Sequence, residues 1–276
     1  MAHTKQERYS ALVDAKLRNT LVTRNGTIFN NRYDGTPTAG AVKIPVRDTE
    51  ATVAAYNIAT GANLTQGTTT YLTLTIDKDY AVNELIDGYD AASVPDNLVA
   101  DRLDSAGYSL ALQMDKDGIA ALEAGGTKLT NTTALTKSTI YEAFVDMRTA
   151  MSEANIPAER RFALVSPAVF ALVLKSPEFI SASALGDTVK QSGAQGKIAG
   201  FAIYETNLLA KDNEIVAGHP DWCTRVEEWK VDVAVNDLTQ SGKFIGASAV
   251  QGRKVYAHKV TKAVAVQIKS KAAAGG

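Results

Sequence analysis

The sequence predicts an α+β fold in which extended segments come first, one long helix follows, and a mixed lobe of helices and strands completes the chain. An apolar stripe over residues 94–124 predicts the helix, and period-two alternation near residues 72–76 and 231–235 predicts strands. Polar segments punctuated by glycine separate these elements in the first third. With 276 residues, 45% hydrophobic and 21% charged, the chain can form one large or two modest domains.

The first 41 residues are predicted to form an N-terminal arm. Thr4 and Glu7 have the spacing of a capping box, and apolar residues recur on one helical face after them: Tyr9, Leu12, Val13, Leu17 and Leu21. The polar segment "NGTIFNNRYDGTPTAG" is longer than most connections within a compact domain. We expect this arm to lie along another surface, with Tyr9, Leu12 and Leu17 as contact candidates.

Residues 42–82 are predicted to form an extended β-hairpin. Its return strand alternates apolar and polar residues from Leu72 through Val82. Two strands alone are marginally stable in water, and this hairpin is rich in Ala, Thr and Gly, so an external surface is expected to cover it. The alternative is that the hairpin folds back on its own subunit. The contact candidates are Ala55, Tyr56, Ile58, Leu64, Tyr71, Leu72, Leu74 and Ile76.

The longest helix is predicted over residues 94–124. Ser93 and Asp96 have capping spacing, Pro95 belongs in the first turn, and Gly125 with Gly126 stops the apolar stripe. About 28 residues at ~1.5 Å each give a rod of roughly 40 Å. A composition shift after residue 132 then predicts a second lobe, with a helix capped by Ser138 and another opened by Ser166 and Pro167. The C-terminal third is mostly β.

The chemistry of the sequence argues against an enzyme, a cofactor or a metal. Cys223 is the single cysteine, and the three histidines are widely separated. The string "GAQGKIAG" lacks the first glycine and the Ser or Thr of a phosphate loop. No apolar run of roughly 18 residues predicts a membrane span, and the first residues lack an apolar signal core, so we expect the protein to be made and kept in a cytoplasm.

Nucleic-acid binding is predicted to be weak at most. The formal charge is −1, which provides no strong field toward DNA. The nearest basic cluster is "GRKVYAHKVTK", in which Arg253, Lys254 and Lys259 surround Tyr256. These three residues are candidates for contact with packaged nucleic acid, although alternating charges on an antiparallel strand also suit an ordinary solvated face.

The order of these elements resembles the major capsid protein of a tailed bacteriophage with the Hong Kong 97-type fold. Three segments carry the resemblance: "YLTLTIDKDYAVNELIDGYDAAS", "ERRFALVSPAVFALVLKSPEF" followed by "GKIAGFAIYETNLL", and "GKFIGASAVQGRKVYAHKVTKAVAVQI". The resemblance implies an N-arm at 1–41, an E-loop hairpin at 42–82, a peripheral domain at 83–132 and 243–276 that contains the spine helix, and an axial domain at 133–242.

The implied function is self-assembly into hexamers and pentamers of an icosahedral head that encloses double-stranded DNA in the host bacterial cytoplasm. No lysine occurs between Lys43 and Lys78, so the covalent E-loop linkage of some family members is not expected. The region before the hairpin is too short for a fused scaffolding segment, which favours a separate scaffolding protein, and a portal is also expected. The alternatives are an encapsulin-like nanocompartment shell, a small hydrolase and an adhesion protein.

Overall fold

The structure is a computed structural model that describes residues 18–23, 26–33, 40–46, 50–61, 66–93, 98–176 and 196–272. Three β-sheets and one long helix organise the described residues, and the smallest sheet is a two-stranded hairpin. The helices are α1 Gly88–Ser93, α2 Leu98–Gly125, α3 Ile140–Glu153 and α4 Pro167–Leu174. The strands are β1 Ala41–Val46, β2 Thr70–Thr75, β3 Lys78–Asp87, β4 Thr127–Lys128, β5 Phe162–Val165, β6 Lys197–Ile198, β7 Phe201–Glu205, β8 Asn213–Gly218, β9 Cys223–Asp237, β10 Ala247–Val260 and β11 Val266–Ser270.

The first sheet is antiparallel and has the order β3-β10-β9. Helix α2 packs on one of its faces, where Val250 lies against Ala106 and Ile86. Gly252 permits this close packing, because a Cβ at that position would lie 3.2 Å from the Leu110 side chain of α2 and 2.7 Å from the Val233 side chain of β9. The first half of α2 is therefore fixed to this sheet by a compact apolar contact.

The hairpin of β1 and β2 packs on the opposite face of the same sheet. The Tyr256 hydroxyl donates to Asp117 of α2 at 2.8 Å, whereas the next residue, Ala257, packs against Ile44 and Leu74 of the hairpin. Successive side chains of a strand point to opposite faces, so β10 lies between the helix and the hairpin. The result is three layers in this part of the molecule.

The second sheet has six strands in the order β4-β11-β8-β5-β7-β6. Helices α3 and α4 cover one face, with Phe144, Met147 and Val169 in the core. The second half of α2 covers the other face through Ile119 and Leu122. The α+β class and the long helix predicted from the sequence are confirmed.

The helix starts test the capping predictions directly. Ser166 caps α4 as predicted, since its hydroxyl accepts from the Val169 N–H at 3.4 Å and Pro167 occupies the first turn. Ser138 does not cap α3; the N-cap is Thr139, whose hydroxyl donates to the Ala134 carbonyl and leaves the helix without a side-chain cap. For the long helix, Ser93 of the predicted capping pair ends α1 and its hydroxyl donates to the Asp90 carbonyl at 3.3 Å, whereas Asp96 lies outside the described residues.

Strand pairing crosses three of the predicted segment boundaries. Residues 78–82 belong to β3 in the three-stranded sheet, so the hairpin strand ends at Thr75. Strand β9, predicted in the axial segment, pairs with β10 of the peripheral segment. Strands β4 and β11, predicted in the peripheral segment, join the six-stranded sheet. No local pattern predicts these pairings, because strand partners are chosen by contacts between distant segments.

Part of the N-terminal arm lies in the core of its own subunit, contrary to the prediction that the arm covers another surface. Ile28 and Phe29 are fully buried in the cluster that includes α2 and the six-stranded sheet. Asn30 continues this attachment, because its N–H donates to the Cys223 carbonyl and its carbonyl accepts from the Arg225 N–H, both at 2.9 Å. The predicted helix face extended to Leu21, but residues 18–23 are not helical.

Candidate assembly surfaces

The root of the hairpin is anchored within the subunit. Ile44 and Leu74 are 2% and 1% exposed and pack on Val226 and Ala257 of the three-stranded sheet. Leu72 and Ile76 are partly buried against the same cluster. The prediction that Leu74 contacts a neighbouring copy is therefore wrong, and the alternative of folding back on the same subunit is correct for this part of the hairpin.

The outer hairpin, defined as residues 50–61 and 66–70, is exposed and almost free of charge. Glu50 is its only charged residue, and the side chains of Val53, Tyr56 and Ile58 are 95%, 74% and 94% exposed. Ala55 is exposed as well, and Tyr71 at the start of the return strand is 65% exposed. Isolated exposed apolar residues are ordinary, but a run of them on a segment that is almost free of charge is typical of a contact surface.

The outer hairpin has a locally ordered turn. The Asn57 side chain accepts from the Ala59 N–H at 2.8 Å, and the Asn57 carbonyl accepts from the Gly61 N–H at 2.7 Å. Gly61 has a φ of 72°, which favours glycine. Ile58 is therefore presented on a defined turn. The candidates Tyr9, Leu12, Leu17 and Leu64 lie outside the described residues.

A second exposed apolar surface lies at one end of the three-stranded sheet, and we call it the sheet-end patch. It comprises Tyr89, Phe244 and Ile245, of which Ile245 is 88% exposed. Gly88 and Gly246 bring its two sides together, because a Cβ on Gly88 would lie 2.0 Å from the Gly246 carbonyl oxygen. This patch was not predicted, although the apolar pair in "GKFIG" between two glycines was a usable signal.

The basic candidates do not form one surface. The Arg253 guanidinium donates to both Asp79 carboxylate oxygens, at 2.8 and 2.5 Å, and lies over the Trp229 ring. Lys254 points to the other side of β10 and lines a groove beneath α2. Lys259 is exposed. The predicted cluster is therefore wrong as a single platform, because adjacent strand residues face opposite sides and Arg253 already has an acidic partner.

The buried polar groups carry structural roles. Burial raises the pKa of the Cys223 thiol, which suits a small core residue and not a nucleophile. Burial also lowers the pKa of His258 to about 3, and neither of its ring nitrogens has a hydrogen-bond partner among the described residues. Within those residues no group of three or more His, Cys, Asp or Glu is placed to hold a metal ion, and no described helix has the length and apolar character to cross a membrane.

The fold matches solved structures of phage capsids over nearly the whole chain. A Mycobacterium phage Che8 chain is similar with a TM-score of 0.80 and 22% identity, covering 95% of this chain and 96% of that one. The mature capsid of bacteriophage PhiM1 matches with a TM-score of 0.74 and 16% identity, over 96% and 91%. The capsid of cyanophage P-SCSP1u matches with a TM-score of 0.73 and 15% identity, covering 98% of this chain and 93% of that one. This is the Hong Kong 97-type capsid fold.

The sequence itself places the chain in a family. Residues 89–266 match the family model described as phage capsid protein, whereas no curated protein sequence matches. The matched range spans more than half of the 276 residues. The chain belongs to the phage capsid protein family; it is a structural component of the virion shell and not an enzyme.

Proposed function

We propose that copies of this chain close into the hexamers and pentamers of an icosahedral head through the outer hairpin. The observation that carries the proposal is the contrast within one hairpin: Leu74 at the root is 1% exposed and Ile58 near the tip is 94% exposed. Ordering an exposed segment costs conformational entropy, and burial on a neighbouring copy offsets that cost. The absence of lysine between Lys43 and Lys78 supports non-covalent locking.

Deleting residues 51–70 tests this role. The deletion joins Glu50 to Tyr71 and leaves Ile44 and Leu74 in place, so we expect a folded soluble subunit that forms no shells in negative-stain micrographs. The matched control replaces Val53, Tyr56 and Ile58 by serine without changing the chain length, and we expect the same loss of shells. An unfolded deletion protein, or normal shells from either variant, would reject the proposal.

We further propose that the two larger sheets correspond to the two domains of the capsid fold, with strand membership corrected. The three-stranded sheet and the first half of α2 form the peripheral domain, and the six-stranded sheet with α3 and α4 forms the axial domain. Support comes from two separate apolar clusters, one around Val250 and Ala106 and one around Phe144 and Phe201. Helix α2 connects the two.

The other expected partners follow from the family. We propose that the shell assembles in the host cytoplasm with a separate scaffolding protein and a portal, and encloses double-stranded DNA without sequence specificity. The formal charge of −1 fits contact with DNA that is weak for each subunit, and Lys259 remains the exposed basic candidate. The family match favours this reading over an encapsulin-like compartment.

A further inference from the structure

The imidazole of His258 lies where the arm, helix α2 and the three-stranded sheet meet. Its ring centroid is 4.8 Å from that of Phe29 in the arm and 5.5 Å from that of Tyr256 in β10. Gly118 brings the backbone of α2 close to two of these rings, since a Cβ there would lie 3.0 Å from the Phe29 ring and 3.3 Å from the His258 Nε2. The imidazole is therefore part of the contact that holds the arm against the helix.

Neither ring nitrogen of His258 has a hydrogen-bond partner among the described residues, and both nitrogens are buried. Nearly all buried polar groups in proteins are paired, because an unpaired one lowers stability. A phenyl ring would fill a similar space without that cost. What an imidazole adds is the capacity to take up a proton at mildly acidic pH.

The cationic neighbours of His258 oppose a proton on its ring. Burial and the charge of Arg225 in β9 lower the pKa of His258 to about 3, Lys78 of β3 acts in the same direction, and Asp77 acts against them. Glu227 lies 3.8 Å from the Arg225 Nε and balances part of that charge. The imidazolium is therefore disfavoured as long as the arm encloses it.

The acidic groups of α2 near this junction have other partners. Asp117 accepts from the Tyr256 hydroxyl at 2.8 Å, and Asp115 accepts from two backbone N–H groups of the arm. Residues 26–30 of the arm carry no charge. Among the described residues, a protonated His258 would therefore find no acceptor in the closed junction.

We propose that His258 is an acid-sensitive switch whose protonation releases arm residues 26–33 from α2 and the three-stranded sheet. The arm is the part that moves, because Phe29 belongs to an irregular segment whereas Gly118 and Tyr256 belong to long regular elements. Release exposes the imidazolium to water, which hydrates its charge. The switch is a property of the single subunit, so it does not depend on the proposed route of shell assembly.

Hydrogen exchange of the unassembled subunit, followed by NMR and corrected for the intrinsic pH dependence of exchange, tests the switch. The Asn30 N–H reports attachment of the arm, because it donates to the Cys223 carbonyl at 2.9 Å. The pKa of His258 is lower in the attached arm than its ordinary value of 6.5, so attachment is strongest above pH 6.5 and weakens as the pH falls. Between pH 7 and pH 5 the equilibrium for release should increase about 20-fold.

The Ala202 N–H provides the internal reference, since it donates to the Arg161 carbonyl within the distant six-stranded lobe. We expect its protection to stay constant while that of Asn30 falls. A wild-type protein in which Asn30 keeps its protection at pH 5 would overturn the inference. Equal losses at Asn30 and Ala202 would do so as well, because they would show unfolding of the whole subunit.

His258→Phe removes the proton-binding group and retains an aromatic ring. We expect Asn30 protection in this variant to change by less than about twofold between pH 7 and pH 5. Tyr256→Phe is the matched control, because it removes the hydroxyl contact to Asp117 and keeps His258. It should speed exchange at every pH and retain the 20-fold response, whereas a wild-type response in His258→Phe would overturn the inference.

A second measurement uses the wild-type chain, in case His258→Phe does not fold. In protein labelled with nitrogen-15 histidine, the ring resonances report the protonation state of His258 directly. We expect the ring to stay neutral while Asn30 is protected and to gain its proton together with the loss of that protection. A ring that titrates near pH 6.5 while Asn30 remains protected would overturn the inference.

Discussion

The outer hairpin and the six-stranded lobe use similar apolar residues in opposite ways. In the lobe, Phe144 and Phe201 are fully buried, with ring centroids 6.2 Å apart. In the outer hairpin, Val53 and Ile58 are almost fully exposed. The lobe therefore completes its core within one chain, whereas the outer hairpin leaves exposed the apolar surface that we propose to contact another copy.

This difference implies that folding and assembly are separable in this protein. Substitutions in the lobe should change the free energy of unfolding of the subunit, and substitutions in the outer hairpin should change shell formation alone. The hairpin root is the boundary between the part of the chain that stabilises the subunit and the part expected to affect shell formation. Leu74 is buried at the root, whereas Ile58 of the same hairpin is exposed.

The largest expected effect is that of Phe144→Ala. Removing this buried ring from the core between α3 and the sheet should lower the free energy of unfolding by about 3–5 kcal/mol, measured by urea denaturation of the unassembled subunit. The contrasting variant is Ile58→Asp, which should change that free energy by no more than about 0.5 kcal/mol and abolish shells in micrographs. A strongly destabilised Ile58→Asp subunit would break the comparison.

Leu74→Ala tests the boundary at the hairpin root. Because Leu74 packs on Val226 and Ala257, the substitution should destabilise the subunit by about 2–4 kcal/mol. The matched substitution Tyr71→Ala, three residues earlier on the opposite face of the same strand and 65% exposed, should cost less than about 1 kcal/mol in the same denaturation experiment. Equal costs would show that the root is no more anchored than the outer hairpin.

Asp115→Asn tests the attachment of the arm to α2. Asp115 is buried and accepts from the N–H groups of Val22 and Thr23 at 2.7 and 3.2 Å, so the amide should leave one donor unsatisfied at a cost of about 1–3 kcal/mol. Faster amide hydrogen exchange at Val22 and Thr23 measures the local release. The exposed pair of Arg18 and Asp104 provides the control, since Asp104→Asn should leave exchange at Thr23 unchanged.

Near neutral pH, the smallest expected effect is the pH dependence contributed by His258. Its pKa is lowered to about 3 in the folded chain by burial and by the nearby Arg225 charge, with Lys78 acting in the same direction and Asp77 against it. The unfolded state thus binds more protons below pH 6.5, and stability falls as pH falls, by up to about 1.4 kcal/mol per unit down to about pH 3. His258→Gln should reduce the loss of stability between pH 7 and pH 5 in urea titrations. An unchanged pH dependence would show that His258 is not the group responsible.

Local patterns predicted the elements well. The apolar stripe and the terminal glycines placed α2 within a few residues, since its observed end is Gly125. The Ser166 and Pro167 pair predicted the start of α4 because a cap is satisfied by N–H groups two or three residues away. The class of the fold followed from these local signals and from the order of the elements.

Long-range contacts decided what the elements do. The alternation around Leu74 fits a strand that contacts a neighbouring copy and equally a strand that packs on its own subunit. Only the position of Val226 and Ala257 shows that Leu74 packs on its own subunit. Arg253 and Lys254 were adjacent in a basic segment, but the sheet sends them to opposite sides. The burial of Phe29 was not predicted, because Phe29 belongs to an irregular segment without hydrophobic periodicity.

By itself the sequence determined which residues form helices and strands, because periodicity, caps and turn residues act over a few neighbours along the chain. The tertiary structure decided which apolar faces are covered and which remain open. Coverage depends on segments far apart in sequence, such as β3 with β10 and the arm with α2. The exposure of the outer hairpin is therefore a property that only the tertiary structure shows.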